Sequence, residues 1–288
     1  MNKTMPKVLI VGCGDLGGTV ATQLSSLGID VIGVRRSDAP IESVHMIQAD
    51  ITQPASLTSL KQTRPEILIY CVAANGQTDE QYKAHYVDGL RNVLATQSEN
   101  SNLKHVFFVS STRVYGQKTE ALLDESTPAI ATDFGGERLL EAEALLDKLS
   151  CNTTVLRLSG IYGAGRLRMI NLAPNPLNWP SQNSWTNRIH KDDAAAFIVF
   201  LVKEVLANKP IQTCFIVTDS KPSCQYDVLS WIANQMQVNI DVKSPVIDGG
   251  KRLSNQTMLS TGFTLQYPDF KAGYQAVLAS TAKEVVAS

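Results

Sequence analysis

Apolar and polar residues fall in alternating blocks along the first half of the chain, short β-branched runs followed by longer stretches with helical spacing. The runs Lys7–Val11, Asp30–Val34, Val44–Gln48, Ile67–Cys71, His105–Val109 and Thr154–Leu158 are mostly apolar on both faces, as strands covered by helices on both sides must be. Between them, Leu16–Leu27, Gln81–Ser98 and Gly135–Leu149 repeat apolar residues at helical period. In the last of these, Leu139, Ala142, Leu146 and Leu149 form one stripe. The alternation predicts βαβ units and a doubly wound parallel sheet.

The pattern breaks after Leu158. Residues 160–190 are rich in Gly, Pro, Asn and Trp without a sustained period, which predicts an excursion from the sheet. A helix over Lys191–Ala207 and a strand over Cys214–Thr218 return to it. A helix near Tyr226–Met236, an irregular stretch and a last helix near Ala272–Val285 complete the chain. The expected division is therefore interleaved: a larger α/β domain from 1–158 plus 191–218, and a smaller one from 159–190 plus 219–288.

Composition narrows the function classes. The 44% hydrophobic and 18% charged residues are those of an ordinary globular protein. Lys and Arg total 26 against 27 Asp and Glu, so there is no global basic field to hold nucleic acid or an anionic membrane, and neither is expected as a partner. The cysteines at 13, 71, 151, 214 and 224 are scattered, with no CxxC pair and no His at ligand spacing, so no metal site or disulfide framework is expected. The most apolar stretch, Ala194–Val202, is far shorter than the roughly 20 residues that span a bilayer and reads as a buried helix. Met1–Lys7 running into Val8–Val11 does not read as a signal peptide, and a cytoplasmic location is expected.

The chemistry starts at Gly12-Cys13-Gly14-Asp15-Leu16-Gly17, a GxGxxG that leaves one strand and opens one helix. Gly12 permits the tight turn, Gly14 lets backbone N–H groups approach a pyrophosphate, and Gly17 allows close helix–strand packing, while the helix N-terminus at Asp15 and Leu16 supplies positive partial charge. After the second strand, Arg35-Arg36 occupies the place where NAD-specific proteins put a carboxylate for the ribose 2′-hydroxyl. Guanidinium groups there favour the 2′-phosphate of NADP, with NAD remaining open. Two solvated arginines are the plainer reading. Asp50-Ile51 and Val72-Ala73-Ala74 follow the third and fourth strands at the carboxyl edge, where such sheets bind ligands.

Together these segments resemble the extended short-chain dehydrogenase/reductase family, the NAD(P)-dependent sugar-nucleotide epimerases, dehydratases and reductases. The resemblance continues through Ser110-Ser111-Thr112-Arg113-Val114-Tyr115-Gly116, Arg157-Leu158-Ser159-Gly160-Ile161-Tyr162-Gly163-Ala164-Gly165-Arg166 and Asn187-Arg188-Ile189-His190-Lys191-Asp192-Asp193-Ala194. It implies a Rossmann NAD(P)-binding domain with a smaller C-terminal substrate domain, an adenine contact at Asp50, a small-molecule substrate, a homodimer as an open assembly, and a catalytic set of Ser or Thr, Tyr and Lys. In that set the Tyr exchanges the proton, the Lys holds the nicotinamide ribose and the Ser orients the substrate hydroxyl.

Ser111 matches the Ser. The best match to the Tyr-x-x-x-Lys pair, however, is Phe134-Gly135-Gly136-Glu137-Arg138, which places Phe134 and Arg138 on one helix face. Phe has no proton to exchange, and Arg138 is a permanent cation that can bind ribose hydroxyls but not shuttle a proton. Thr112 and Arg113 stand where the family's dehydratases carry an acidic pair, which ranks reductase or epimerase-like chemistry above dehydration. Substitute acids are Tyr115, Asp133, Glu137, His190 and Cys71, each with a structural alternative: packing, helix-terminal charge or core. On the substrate side, Arg166, Arg168, Arg188, Trp179 and Trp185 suit a phosphorylated or nucleotide-bearing ligand, or else make surface charge over a small tryptophan core; Lys251-Arg252 is a second cationic spot. Two functions stay open: an NADP-dependent oxidoreductase or epimerase-like enzyme, and a non-catalytic NADP(H) sensor.

Overall fold

The computed structural model describes residues 6–287; the first five residues, part of the N-terminal segment read above as no signal peptide, lie outside the described residues. Seven strands form the central sheet: β1 (Lys7–Val11), β2 (Asp30–Arg35), β3 (His45–Gln48), β4 (Ile67–Tyr70), β5 (His105–Ser111), β6 (Asn152–Leu158) and β7 (Cys214–Val217). Their order is β7-β6-β5-β4-β1-β2-β3. The registers run parallel, with Val8 opposite Val31 on one side and Ile67 on the other. The strand order reverses beside β1, between β2 and β4, and the crevice outside the carboxyl ends at such a reversal is where open α/β sheets bind ligands. Val8 to Val11 and Ile67 to Tyr70 are fully buried, which is why these strands read as continuous apolar runs.

The helices are α1 (Asp15–Ser26), α2 (Asp79–Tyr82), α3 (Gly89–Thr96), α4 (Phe134–Leu146) and α5 (Lys191–Leu206). In α4 the expected stripe is buried at Leu139, Ala142 and Leu146. The apolar Ala194–Val202 forms the interior of α5, where Phe197 meets Phe215 edge-on at 5.2 Å. Among the described residues no helix is long and apolar enough to cross a membrane.

Two elements depart from the periodicity. The single helix expected over Gln81–Ser98 is broken by a π-helical stretch, Lys83–Asp88, between α2 and α3. The Tyr70 phenol donates to the carbonyl of His85, and Gly89 has no Cβ because one would lie 2.6 Å from Tyr70 Oη and 2.5 Å from Ile51 Cδ1. A 3₁₀ helix, Pro54–Gln62, fills the β3–β4 connection, burying Leu57 and Leu60.

The chain divides into two compact units, residues 1–117, 128–157 and 195–215 in one and 118–127, 158–194 and 216–288 in the other. The assignment of 118–127 to the second unit differs from the division drawn from the sequence: Leu122–Leu123 pairs in parallel with Arg252–Leu253. The excursion at 160–190 is ordered. Gly160–Tyr162 pairs with Arg188–His190, and Asn183–Thr186 is the middle strand of a small sheet between Ser223–Cys224 and Ile247–Gly250. Tyr162, Ile170, Trp179, Tyr226, Phe270 and Tyr274 belong to the unit's own core.

Candidate functional site

The glycine turn sits at the carboxyl end of β1. The N–H groups of Gly12 and Cys13 both donate to Val34 O at 3.0 Å, tying the turn to β2. Gly12 has φ +96°, and a Cβ would lie 2.3 Å from Cys71 O; at Gly17 it would lie 2.3 Å from Gly12 O. At Gly14, by contrast, a Cβ meets nothing within 4 Å. Gly14 is also the N-cap of α1 and supplies no side-chain cap to the turn that Asp15 and Leu16 begin. Space beside Gly14 and an uncapped helix N-terminus fit a pyrophosphate.

Arg35 and Arg36 separate. Arg35 folds back, donating through Nη1 to Cys13 O at 3.4 Å and through Nη2 to Ala39 O, while its buried Nε makes no hydrogen bond. Arg36 is exposed and is fixed by its backbone, which accepts from Gln48 Nε2 at 2.9 Å. Asp50 closes an Asx turn, accepting from the N–H and hydroxyl of Thr52 at 2.9 and 2.8 Å; the Thr52 N–H is the main reason its carboxyl sits below the usual range. Ile51 is buried and its carbonyl accepts from Asn92. Of the β4 loop residues, Val72 and Ala74 are half-buried and Ala73 is exposed. Ala74 makes a backbone hydrogen bond to the Tyr86 phenol, whose pKa burial raises to about 12.

Beyond β5, Ser111 Oγ accepts from Arg113 N at 3.2 Å and caps the short turn Thr112–Val114. Arg113 is the hub of this edge. Its Nε bonds both oxygens of Asp133 at 2.9 and 3.0 Å, and its Nη1 reaches Gln77 Oε1 at 3.0 Å and Tyr82 Oη at 2.7 Å. The guanidinium carbon lies 4.9 Å from the Tyr82 ring centre and 5.0 Å from that of Phe134. A Cβ at Gly135 would be 2.4 Å from that carbon, so the glycine after Phe134 makes room for it. Asp133 caps α4 through Gly136 N; burial pushes its carboxyl up, but that N–H and the Arg113 guanidinium outweigh it and hold the carboxyl low.

Other sequence candidates lie elsewhere. Arg138 makes paired bonds to Asp79 at 2.7 and 2.9 Å and a third to Glu141 at 2.7 Å, a carboxylate engagement that its position on the α4 face did not foretell. The hydrogen bonds from Arg138 in turn hold the Asp79 carboxyl below its usual range. Tyr115 is 1% exposed, and its phenol accepts from Arg157 Nη1 at 2.7 Å within a network where Arg157 pairs with Glu143 and Ser110 donates to Glu143 at 2.6 Å. Glu137 is exposed on the first turn of α4 and Cys71 is half-buried at the end of β4. His190 is buried beneath Tyr162 and Tyr267, and burial lowers its pKa. Sequence reasoning missed Tyr82, Gln77 and Asp79, whose signal was a tyrosine and polar residues just where the β4 loop enters a helix.

In the second unit a cavity of about 550 Å³ is lined by Arg166, Arg168, Arg188, Tyr162, Tyr274 and Asn187 among others. Arg188 is 6% exposed; its Nη2 donates to Thr186 Oγ1 at 2.5 Å while its buried Nη1 makes no hydrogen bond, nor does Tyr162 Oη. Trp179 is core, edge-on to Tyr226, and Trp185 lies under the Arg252 guanidinium at 5.3 Å. Neither indole lines the cavity. Among the described residues no group of three or more His, Cys, Asp or Glu is placed to hold a metal.

A doubly wound parallel sheet whose first βα turn leaves space beside an uncapped helix end defines a Rossmann-type protein of the short-chain dehydrogenase/reductase design. The chain belongs to the NAD-dependent epimerase/dehydratase family, whose model matches residues 8–213. It is 25% identical over 280 residues to protein YeeZ of Escherichia coli strain K12, covering 92% of this chain and 97% of that one. A Methylobacillus flagellatus structure, assigned as an NAD-dependent epimerase/dehydratase, superposes with TM-score 0.89 at 47% identity, covering 97% of this chain and all of that one. The Bordetella bronchiseptica enzyme WbmG, solved with NAD and UDP, shares the fold at TM-score 0.79 and 17% identity, over 98% of this chain and 96% of that one.

Proposed function

We propose that this protein binds a nicotinamide dinucleotide at the Gly12–Gly17 turn and acts as an epimerase-like oxidoreductase on a hydroxyl or carbonyl of a nucleotide-bearing small molecule. The observation that carries the reading is the turn itself: a tight Gly12, an open Gly14 and an uncapped α1. Gly12, Gly14, Asp15, Leu16 and Gly17 hold the pyrophosphate, Asp50 and Ile51 border the adenine, and Val72, Ala73 and Ala74 line the loop over the cofactor. Exposed Arg36, with Arg35 behind it, favours NADP over NAD. A bound nicotinamide supplies the hydride acceptor or donor. Ser111 orients the substrate hydroxyl. Arg166 and Arg188, which line the cavity of the second unit, take the substrate's anionic end, in keeping with WbmG, which was solved with UDP. The first unit then serves the cofactor and the second the substrate, in a cytoplasmic protein for which a homodimer is open.

The test is incubation with NADPH and a panel of carbonyl compounds and UDP-sugars, following absorbance and epimer composition. Conversion of a panel member is expected; tight NADPH binding without conversion favours a second reading. That reading is a non-catalytic NADP(H) sensor, favoured by Phe134, which has no exchangeable proton, and by Arg138, whose donors go to Asp79 and Glu141. Its sign is a partner protein bound differently with NADP⁺ and NADPH.

A further inference from the structure

We propose that Tyr82 is the proton-exchanging group of this site, replacing the hydroxyl that Phe134 lacks, with Arg113 as its charge partner. The proposal rests on the oxidoreductase reading above. Tyr82, Arg113 and Phe134 come from three elements that meet at the carboxyl edge of the sheet: the end of α2, the turn after β5 and the first residue of α4. The Tyr82 ring packs edge-on against Phe134 with centroids 5.5 Å apart, so Tyr82 is a direct neighbour of the residue that lacks the hydroxyl. Tyr82 Oη accepts from Arg113 Nη1 at 2.7 Å and donates to Gln77 Oε1 at 3.2 Å. A phenol with a guanidinium on its lone pair and a neutral amide on its proton has the two connections a proton-exchanging tyrosine needs: a fixed cation to stabilise the phenolate and a weak acceptor that yields to a substrate oxygen.

The surroundings are built around this pair. Asp133 orients the guanidinium through Nε, while Nη1 serves both the phenol and Gln77 Oε1. Gly135 supplies the space the guanidinium fills. The π-helical stretch begins one residue after Tyr82; π-turns are rare and concentrate at functional sites. In the oxidising direction the Tyr82 phenolate would take the proton of the substrate alcohol, and in the reverse the phenol would return it to the carbonyl oxygen; a bound nicotinamide would supply the hydride acceptor or donor.

Two readouts test it. In steady state with NADP⁺ and UDP-glucose, or the panel member converted above, Y82F is expected to lower kcat by roughly 10²- to 10⁴-fold with little change in KM, and adding F134Y to Y82F to recover a substantial part. A Y82F loss under tenfold, or one carried by KM, overturns the proposal. Independently of turnover, 3-fluorotyrosine placed at 82 is expected to shift its ¹⁹F resonance on saturation with NADP⁺ and UDP-glucose. A resonance unmoved while calorimetry shows NADP⁺ bound overturns Tyr82 alone. Absence of binding of both NADP⁺ and NAD⁺ overturns the oxidoreductase reading instead.

Discussion

Arg157 and Glu143 show why a sequence candidate and a site residue differ. Tyr115 matches a family segment, yet its phenol is the buried end of a chain that runs through Arg157 and Glu143 to Ser110. The ion pair is 13% and 10% exposed, so removing one charge strands the other. Glu143→Ala is expected to destabilise by roughly 3–5 kcal/mol in chemical denaturation, whereas a loss under about 1 kcal/mol contradicts a buried, interdependent network. Asp219 gives a pH signature. Burial raises its pKa to about 7, against the pull of Lys221 N–H and Arg188. The folded state therefore keeps a proton that the unfolded chain releases near the ordinary value of 3.8, and stability falls as pH rises from about 4 to about 7. Asp219→Asn keeps an acceptor for Lys221 N–H and is expected to gain on the parent above pH 7 by on the order of a few kcal/mol, the gap closing toward pH 4. A gap independent of pH contradicts this. At this scale the glycine turn was legible, because Gly12 and Gly17 are demanded by backbone contacts. The destinations of Arg138 and Arg35 were not, because spacing gives a helix face but not the carboxylate or carbonyl that faces it from another element.

Elements with a strong period were legible to within a few residues: β1 is Lys7–Val11 as read, and α4 buries Leu139, Ala142 and Leu146 of its stripe, whereas Leu149 lies past the helix end and is half-buried. The break between α2 and α3 was hidden, since apolar spacing continues across it and its cause, the Tyr70 phenol on His85 O, comes from β4. The short strands inside 160–190 were hidden for a related reason: three- and four-residue strands have no period to detect, and their partners lie far along the chain. Gly89→Ala tests the packing that accompanies the π-turn. Its Cβ would press on Tyr70 Oη and Ile51 Cδ1, so a loss of about 1–3 kcal/mol is expected, read as a lower denaturation midpoint. An unchanged midpoint contradicts the close packing described here.

Across the whole molecule, the first unit carries the turn, the arginine pair and the Tyr82–Arg113 cluster, and the second carries the arginine-lined cavity. A net charge of −1 gave no hint of either, because each is a local grouping of a few guanidinium groups in a balanced chain. A ligand that binds only the folded protein stabilises it by about 2.7 kcal/mol at a hundredfold excess over Kd, so NADP⁺ is expected to raise Tm in a concentration-dependent way. The most direct test is calorimetric titration of NADP⁺ and NAD⁺ into the parent, Gly14→Val and Arg36→Glu. The account predicts tighter binding of NADP⁺ to the parent, loss of both in Gly14→Val with the fold retained, and a selective loss of NADP⁺ in Arg36→Glu. Undiminished binding by Gly14→Val, or no dinucleotide bound by the parent, would contradict it.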